Sequence, residues 1–285
     1  MTRAIFVGER QVDAVPADDR GLAYGEGLFE TMRTHGGDVP WWEAHWDRLA
    51  QGAARLGVPL PRKALVRDAA THLLGSGDGV LKLLLTRGSG ARGYAPSGDA
   101  EPTWMLSTHP LPTPTRPGGL HLRWCTLRLA HQPRLAGLKH CNRLEQVLAR
   151  GEWPAAGEPG GDAFDEGLVL DVDGHVAGAT AANVFVFSDG HWRTPPVDRC
   201  GVAGISRGWW LREAGAVEQT LVPGDIERAD AVVLCNAVRG ILPVARLQGR
   251  EWSRHPAVAI VAQRLAAAHP GLARRINVTT NPGES

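Results

Sequence analysis

The chain has 285 residues, 43% of them hydrophobic, and its 31 basic and 30 acidic residues leave a formal net charge of +1. Such a length buries one large core or two of moderate size, and the composition excludes a disordered chain. The charge balance, with no long run of one sign, carries no signature of nucleic-acid or acidic-membrane binding.

The N-terminal MTRAIFVGERQVDAV lacks the apolar stretch of a secretory leader, and no apolar run approaches the roughly 18 residues of a membrane span. A cytoplasmic protein is expected. Ala4–Val7 and Gln11–Val15 flank a Gly-Glu turn and predict a hairpin; Phe29–Thr34 predicts a strand. Trp46, Leu49, Ala53 and Leu56 recur at helical spacing within Glu43–Leu56, and Arg62–Leu74 predicts a second helix. Val80–Thr86 and Thr103–Thr108 read as strands. HPLPTPTRPGG, residues 109–119, holds four prolines and two glycines and cannot form a core element, so 111–119 is an expected linker between domains 1–110 and 120–285. Beyond it come a strand at Leu120–Thr126, a helix at Asn142–Arg150, strands at Glu166–Val172 and Asn183–Ser188, a helix from Ile205 to Ala214, a strand at Ala231–Cys235 and a helix at Pro256–Ala268. The last ten or so residues read as frayed. No repeat is visible. Both halves mix helices and strands without a strict βαβ rhythm, which predicts two α+β domains.

Four cysteines, Cys125, Cys141, Cys200 and Cys235, lie far apart without a CxxC pair and read as reduced thiols. The eleven histidines form no HExxH, so no metal is expected. GSGARG, residues 88–93, matches the dinucleotide fingerprint formally, but Tyr94-Ala95-Pro96 follows where a helix is required. The same loop carries Arg87 and Arg92. It reads either as a solvated hairpin tip or as a basic loop for a substrate carboxylate, which arginine binds with two hydrogen bonds.

Only three lysines occur, Lys63, Lys82 and Lys139, against 28 arginines. Lys63 reads as solvated on its helix. Lys82 lies inside an apolar strand with no partner motif. Lys139 stands between the apolar LAGL and the helix at Asn142, a junction where a side chain can enter a cleft; partial burial there favours the neutral, nucleophilic amine. CGVAGISRGWW, residues 200–210, is a glycine turn running into a helix, whose free N–H groups suit a phosphate. LCNAVRGILPV ends a strand at Asn236, and EAHWDRL places Arg48 on the polar side of a packed helix.

Together, DDRGLAYGEGLFETMR, HWDRL, LTRGSGARGY, LAGLKHCNRLEQVLAR, CGVAGISR and LCNAVRGILPV resemble, in the same order, the aminodeoxychorismate lyases. These belong to the pyridoxal-phosphate superfamily that also holds branched-chain and D-amino acid aminotransferases. LKHxNRLEQVL is particular to the lyase branch; YGEGxFET is shared more widely. The resemblance spans about Asp18 to Val244. It implies a two-domain, class IV (D-amino acid aminotransferase-like) α+β fold, a homodimer, and pyridoxal 5'-phosphate in the interdomain cleft. By resemblance Lys139 is the Schiff-base lysine, and Arg48 grips the cofactor phosphate. The backbone N–H groups of Ile205 and Ser206 complete the phosphate cup, Asn236 lies in a segment adding contacts, and Tyr24 lines the pocket. The small-molecule substrate would be aminodeoxychorismate, split into 4-aminobenzoate and pyruvate; its two carboxylates make Arg87 and Arg92 candidate ligands.

One position departs from the pattern. Within LDVDGHVAGATAANVF, Gly178 stands where the superfamily has a glutamate that pairs with the pyridine nitrogen. Without that carboxylate the cofactor is a weaker electron sink, which disfavours transamination more than a lyase reaction driven also by aromatisation. The alternatives are an aminotransferase of the same fold or a non-catalytic relative that binds the cofactor or a partner.

Overall fold

The computed structural model describes residues 2–272, apart from 97, 155, 156, 161 and 162. The predicted fraying of the C-terminus lies outside the described residues. Strands β1 (Arg3–Val7), β2 (Arg10–Val12), β3 (Gly27–Thr34), β4 (Gly79–Thr86) and β5 (Thr103–His109) form an antiparallel sheet in the order β2-β1-β5-β4-β3. Alternate residues explain its two faces. Leu28 and Met32 of β3, Leu81, Leu83 and Leu85 of β4, and Trp104 and Leu106 of β5 are buried against Leu49 and Ala53 of α2 (Trp42–Leu56) and Val66 and Ala70 of α3 (Lys63–Leu73). Phe29, Thr31, Lys82 and Leu84 occupy the opposite face and are only half-buried.

The chain then changes sheets. Strands β6 (Leu120–Leu129), β7 (Glu166–Asp171), β8 (Val176–Ala179), β9 (Asn183–Ser188), β10 (His191–Thr194), β11 (Val217–Glu218), β12 (Ala231–Asn236), β13 (Gly240–Leu247) and β14 (Arg250–Glu251) form a second, mixed sheet. Its order is β11-β10-β9-β12-β13-β6-β7-β8, with β14 on β13. Strands β9 and β12 are buried on both faces, hence their near-continuous apolar runs VFVF and AVVLC. One face carries Val184, Val186, Val232 and Leu234 with Ile226 of α6 (Pro223–Arg228). The other packs Phe185 and Val233 on Trp209 and Trp210 of α5 (Ile205–Glu213) and on Val261 and Leu265 of α7 (Pro256–Ala268). Trp210 stacks on Phe185 at 4.6 Å and meets Trp192 edge-on at 4.8 Å, which fixes α5 on the sheet.

The predicted strands and helices are all present, within a few residues at their ends. Not anticipated are the short α1 (Arg20–Tyr24), β8, β10, β11, α6, β13 and β14. Strand β13 contains Pro243, which lacks the N–H of a ladder and argues against a central strand, yet it pairs with Val233 of β12.

The two sheets are joined by more than the connection. Residues 137–141 lie between them as a connecting segment. Phe29 N–H donates to Lys139 O (3.0 Å) and Cys141 N–H to Gly27 O (2.9 Å), so the segment continues the edge of the first sheet beyond β3. On its other side Gly137 N–H donates to Gly201 O (3.1 Å), and Ala203 N–H donates to Gly137 O (3.0 Å). The segment is thereby tied to the turn that starts α5.

Candidate active site

Lys139 sits at the middle of that joining segment. Its backbone direction is set by β3, and Arg143, at the start of α4 (Leu144–Arg150), straps the segment from behind. The Arg143 guanidinium donates to His140 O (2.8 Å) and Leu138 O (2.9 Å), the carbonyls on either side of Lys139. The Lys139 side chain is left to project over the Phe29 ring, with Nζ 4.2 Å from the centroid. Burial, then the positive charge of Arg48, with Arg143 and Lys82 adding and Glu30 opposing, push its amine down to about 8. About a tenth of the amine is therefore neutral at pH 7 and free to attack a carbonyl, far more than for an ordinary lysine.

Arg48 is held by an acid that sequence reading missed. Glu30 points into the first core, 1% exposed, between the buried Leu28 and Met32. Arg48 Nε donates to its Oε1 (2.8 Å) and Arg48 Nη2 to Oε2, a fork-to-fork pair. The buried His45 adds a third bond to Oε2 at 2.5 Å. A carboxylate only accepts, so His45 Nδ1 carries the proton of that bond. Burial alone would raise the Glu30 carboxyl; Arg48 and His45 outweigh it and hold it at about 2. Arg48 Nη1 donates to Ala203 O (3.0 Å), two residues before α5. The remaining donor capacity of the guanidinium lies beside the helix start.

That start is open. Its N-cap is Gly204, which offers no side-chain cap to the first N–H groups, those of Ile205 and Ser206. A Cβ at Gly204 would collide with Asn183 Oδ1, while Asn183 Nδ2 donates to Val202 O (2.9 Å). The close approach thus demands glycine, and the glycine leaves the helix end uncapped. Ser206 Oγ is buried, with the weakly hydrogen-bonding Cys235 thiol as its side-chain neighbour. Open N–H groups, the Ser206 hydroxyl and Arg48 form a donor set that fits a phosphate. An amine able to form an imine projects from the neighbouring segment. The residues present therefore fit pyridoxal phosphate.

The other expected residues are placed differently. Arg87 is 6% exposed, and its guanidinium donates to Glu26 (2.6 Å), Gly57 O (2.8 Å) and Leu56 O (3.1 Å). It builds the fold rather than facing a cleft. Arg20, unremarked in the sequence, is 3% exposed; it shares Glu26 with Arg87 and binds the carbonyls of Gly93 (2.8 Å) and Tyr94 (3.3 Å). These two arginines fix the root and tip of the 88–94 loop. Arg92 on that loop is exposed. Tyr24 OH accepts from Gly93 N–H (2.9 Å), and its ring meets Tyr94 edge-on, so Tyr24 touches the loop directly. The Asn236 amide is committed to its own turn: Oδ1 accepts from Val238 N–H and Arg239 N–H, and Nδ2 donates to Ala181 O.

Gly178 lies on β8 opposite Val169, at a register shift in the β7–β8 ladder. Its φ of +147° is one that L side chains rarely adopt. A Cβ there would have a single described neighbour within 4 Å, Ala182 O at 3.3 Å. A side chain at this position would therefore strain the backbone as it stands.

Comparison with known proteins agrees with this geometry. The family model for class IV amino-transferases matches residues 27–247. An aminodeoxychorismate lyase from Vibrio harveyi is 35% identical over 246 residues, covering 83% of this chain and 89% of its own. A D-alanine aminotransferase from Bacillus licheniformis is 26% identical over 251 residues, covering 85% and 86%. The crystal structure of 4-amino-4-deoxychorismate lyase from Pseudomonas aeruginosa superposes with a TM-score of 0.84 at 39% identity, over 92% of this chain and 98% of that one. The chain belongs to the class IV aminotransferase family, whose pyridoxal-phosphate-dependent members include the aminodeoxychorismate lyases.

Proposed function

We propose that this enzyme is a 4-amino-4-deoxychorismate lyase that forms 4-aminobenzoate and pyruvate. The reading is carried by Lys139: an amine at about 8, in the lyase-type segment LKHCNRLEQVL, held between β3 and the open end of α5. The similarity to lyases, at 35% and 39% identity, supports it over the 30% and 26% seen with aminotransferase relatives. Gly178 adds support, since the carboxylate missing there matters most to transamination.

In this reading the cofactor lies in the cleft between the 1–110 and 120–285 domains. Bound pyridoxal phosphate withdraws the electron pair left when a proton departs from C4 of the substrate. Arg48, the N–H groups of Ile205 and Ser206, and Ser206 Oγ hold its phosphate, and Glu30 holds Arg48. Lys139 is the residue whose amine would hold the cofactor. The released amine takes the proton from C4 and returns it to the methylene of the departing enolpyruvyl group. The C–O bond breaks, the ring becomes aromatic, and pyruvate leaves. Arg92 and Tyr24, on and against the 88–94 loop, face the substrate side.

We also propose that the enzyme is a homodimer. Helix α4 leaves Leu144 (76% exposed), Val147 (62%) and Leu148 (64%) open at i, i+3 and i+4, one stripe on one face. Covering each such side chain stabilises an association by about 1.5–3 kcal/mol, and a second copy presents the same stripe.

Substitutions at three positions test these readings. Lys139→Ala abolishes 4-aminobenzoate formation, by more than the roughly 10²–10⁴-fold of a proton-transfer role alone; borohydride reduction and peptide mapping label residue 139 in the native protein. Brisk keto-acid-dependent amino transfer by that native protein, without 4-aminobenzoate, would sink the lyase reading. Glu30→Gln releases Arg48, and cofactor affinity, read by absorbance titration, falls by about tenfold or more. Because the folded carboxyl lies at about 2 against 4.5 unpaired, its contribution is complete above 4.5 and lost as pH falls towards 2. Glu30→Gln therefore flattens the pH dependence of stability in that window. Leu148→Glu converts the dimer to a monomer in sedimentation equilibrium.

A further inference from the structure

Lys139 is followed closely by Asn142, Arg143 and Glu145, in the stretch LKHCNRLEQVL that carries the lyase resemblance. All three side chains turn back onto main chain around the lysine. Asn142 Nδ2 donates to Gly25 O (3.1 Å), between α1 and β3. Glu145 Oε1 accepts from Ala130 N–H (2.9 Å), just past β6. These two bonds seat the start of α4 on both sides of the connecting segment. Between them Arg143 bridges two carbonyls, those of Leu138 and His140.

The bridged carbonyls matter because of what they fix. Peptide units are rigid planes, so the φ and ψ of a residue are the rotations between the plane before it and the plane after it. The plane after Lys139 is held by β3, through Phe29 N–H and Lys139 O (3.0 Å). The plane before it carries Leu138 O, which no backbone donor reaches among the described residues. Arg143 Nη2 is its partner (2.9 Å). The same guanidinium takes His140 O through Nε (2.8 Å), on the side of the segment turned away from Gly27 O, the acceptor of the next N–H. Both planes that set the direction of the Lys139 side chain are thus held, one by a strand and one by a side chain four residues on. Arginine suits the task, since its planar fork spans two acceptors and a lysine offers a single nitrogen. The strap also brings charge: after burial and Arg48, Arg143 helps to hold the Lys139 amine below its ordinary 10.5.

We propose that Arg143 is a positioning residue for proton transfer, fixing the direction in which Lys139 carries its amine so that one nitrogen serves both proton-exchanging atoms of the substrate. The proton that the neutral amine takes from C4 is the one it delivers to the enolpyruvyl methylene, after which the amine is neutral again. A single root must therefore aim the nitrogen at two atoms in turn, and a free peptide plane at that root would spread its positions. The proton-transfer role rests on the lyase reading; the hold of Arg143 on the Lys139 amine does not.

The full-length native protein is compared with Arg143→Met, which removes strap and charge, and Arg143→Lys, which keeps the charge alone. The loaded enzymes are assayed with aminodeoxychorismate. The cofactor-free proteins, labelled with 13C at the lysine Cε, are titrated by NMR; with three lysines in the chain the Lys139 resonance is resolved, and Lys139→Arg assigns it. In both variants kcat falls by roughly 10- to 100-fold, the loss for a misplaced reacting group, while KM changes little. The Lys139 midpoint, about 8 in the native protein, moves up towards 10.5 in Arg143→Met and stays in place in Arg143→Lys. Should Arg143→Met not fold, Arg143→Gln, which reaches one carbonyl at most, replaces it under the same criteria. A purely structural arginine would lower the melting temperature and leave kcat and the Lys139 midpoint at native values; that result overturns the proposal, as does a fully active Arg143→Lys. If the native protein forms no 4-aminobenzoate, the lyase reading falls and the rate of pyridoxal phosphate uptake by the cofactor-free proteins decides. Uptake slowed by about tenfold or more in both variants upholds the hold on Lys139, and equal rates end it.

Discussion

The site depends on five residues, 137–141, that lie in no named strand yet bond both to the first sheet and to the turn that starts α5. Two hydrogen bonds join them to β3 and two to the turn before α5. Everything the chemistry requires hangs on this arrangement. The β3 side delivers Phe29 and Glu30, the α5 side delivers Gly204, Ile205 and Ser206, and the segment itself delivers Lys139. Backbone bonds position main chain to within tenths of an ångström, whereas a loop lysine would sample many places. The Arg143 strap over Leu138 O and His140 O removes the remaining freedom of the segment without touching the amine. Arg48 closes the same circuit from α2, binding Glu30 of one half and Ala203 of the other.

The electrostatics follow from which groups are paired. Glu30 accepts three charge-assisted or buried bonds and so stays ionised deep in a core, where an isolated carboxylate would be prohibitive. Its charge is absorbed by Arg48 and reaches Lys139 only as a partial opposition to the cations. The amine therefore experiences burial and net positive surroundings, both of which favour the neutral form. Lys63, by contrast, lies on the surface and pairs with Glu43. Composition hints at this division: arginine remains charged wherever it is buried, and lysine is reserved for positions where proton exchange or a compact cation has a use.

Much of this was legible in the sequence, and the unread part has physical causes. The amphipathic spacing of Trp46, Leu49, Ala53 and Leu56 gives α2, and the apolar runs of β4, β9 and β12 give buried strands, because periodicity reports burial directly. The strands VAGA, VE and RE carry almost no such signal, being too short or too poor in branched residues. Glu30 was readable in principle: it occupies an inward position between Leu28 and Met32, where an acid must have a partner. The roles of Arg20 and Arg87 were not readable, since both lie beside loop glycines and only the fold brings Glu26 between them. Charge and position in a flexible-looking loop made Arg87 look available; burial and three acceptors show otherwise.

Gly178 belongs with the same electrostatic pattern. A carboxylate at that place would do two things in an enzyme of this family: support the cofactor ring and add negative charge to the cleft. The chain instead puts a backbone conformation there that disfavours any side chain, at a register shift in the β7–β8 ladder. Its cleft cations, Lys82, Arg48 and Arg143, are then opposed near Lys139 by Glu30 alone among the groups that set its amine. In the proposed function, a simple amino acid would meet excess positive charge and a weak sink here. For a substrate that brings two carboxylates and gains an aromatic ring on release, both features favour the reaction: the ligand supplies the missing negative charge, and aromatisation supplies the driving force that the weaker sink does not.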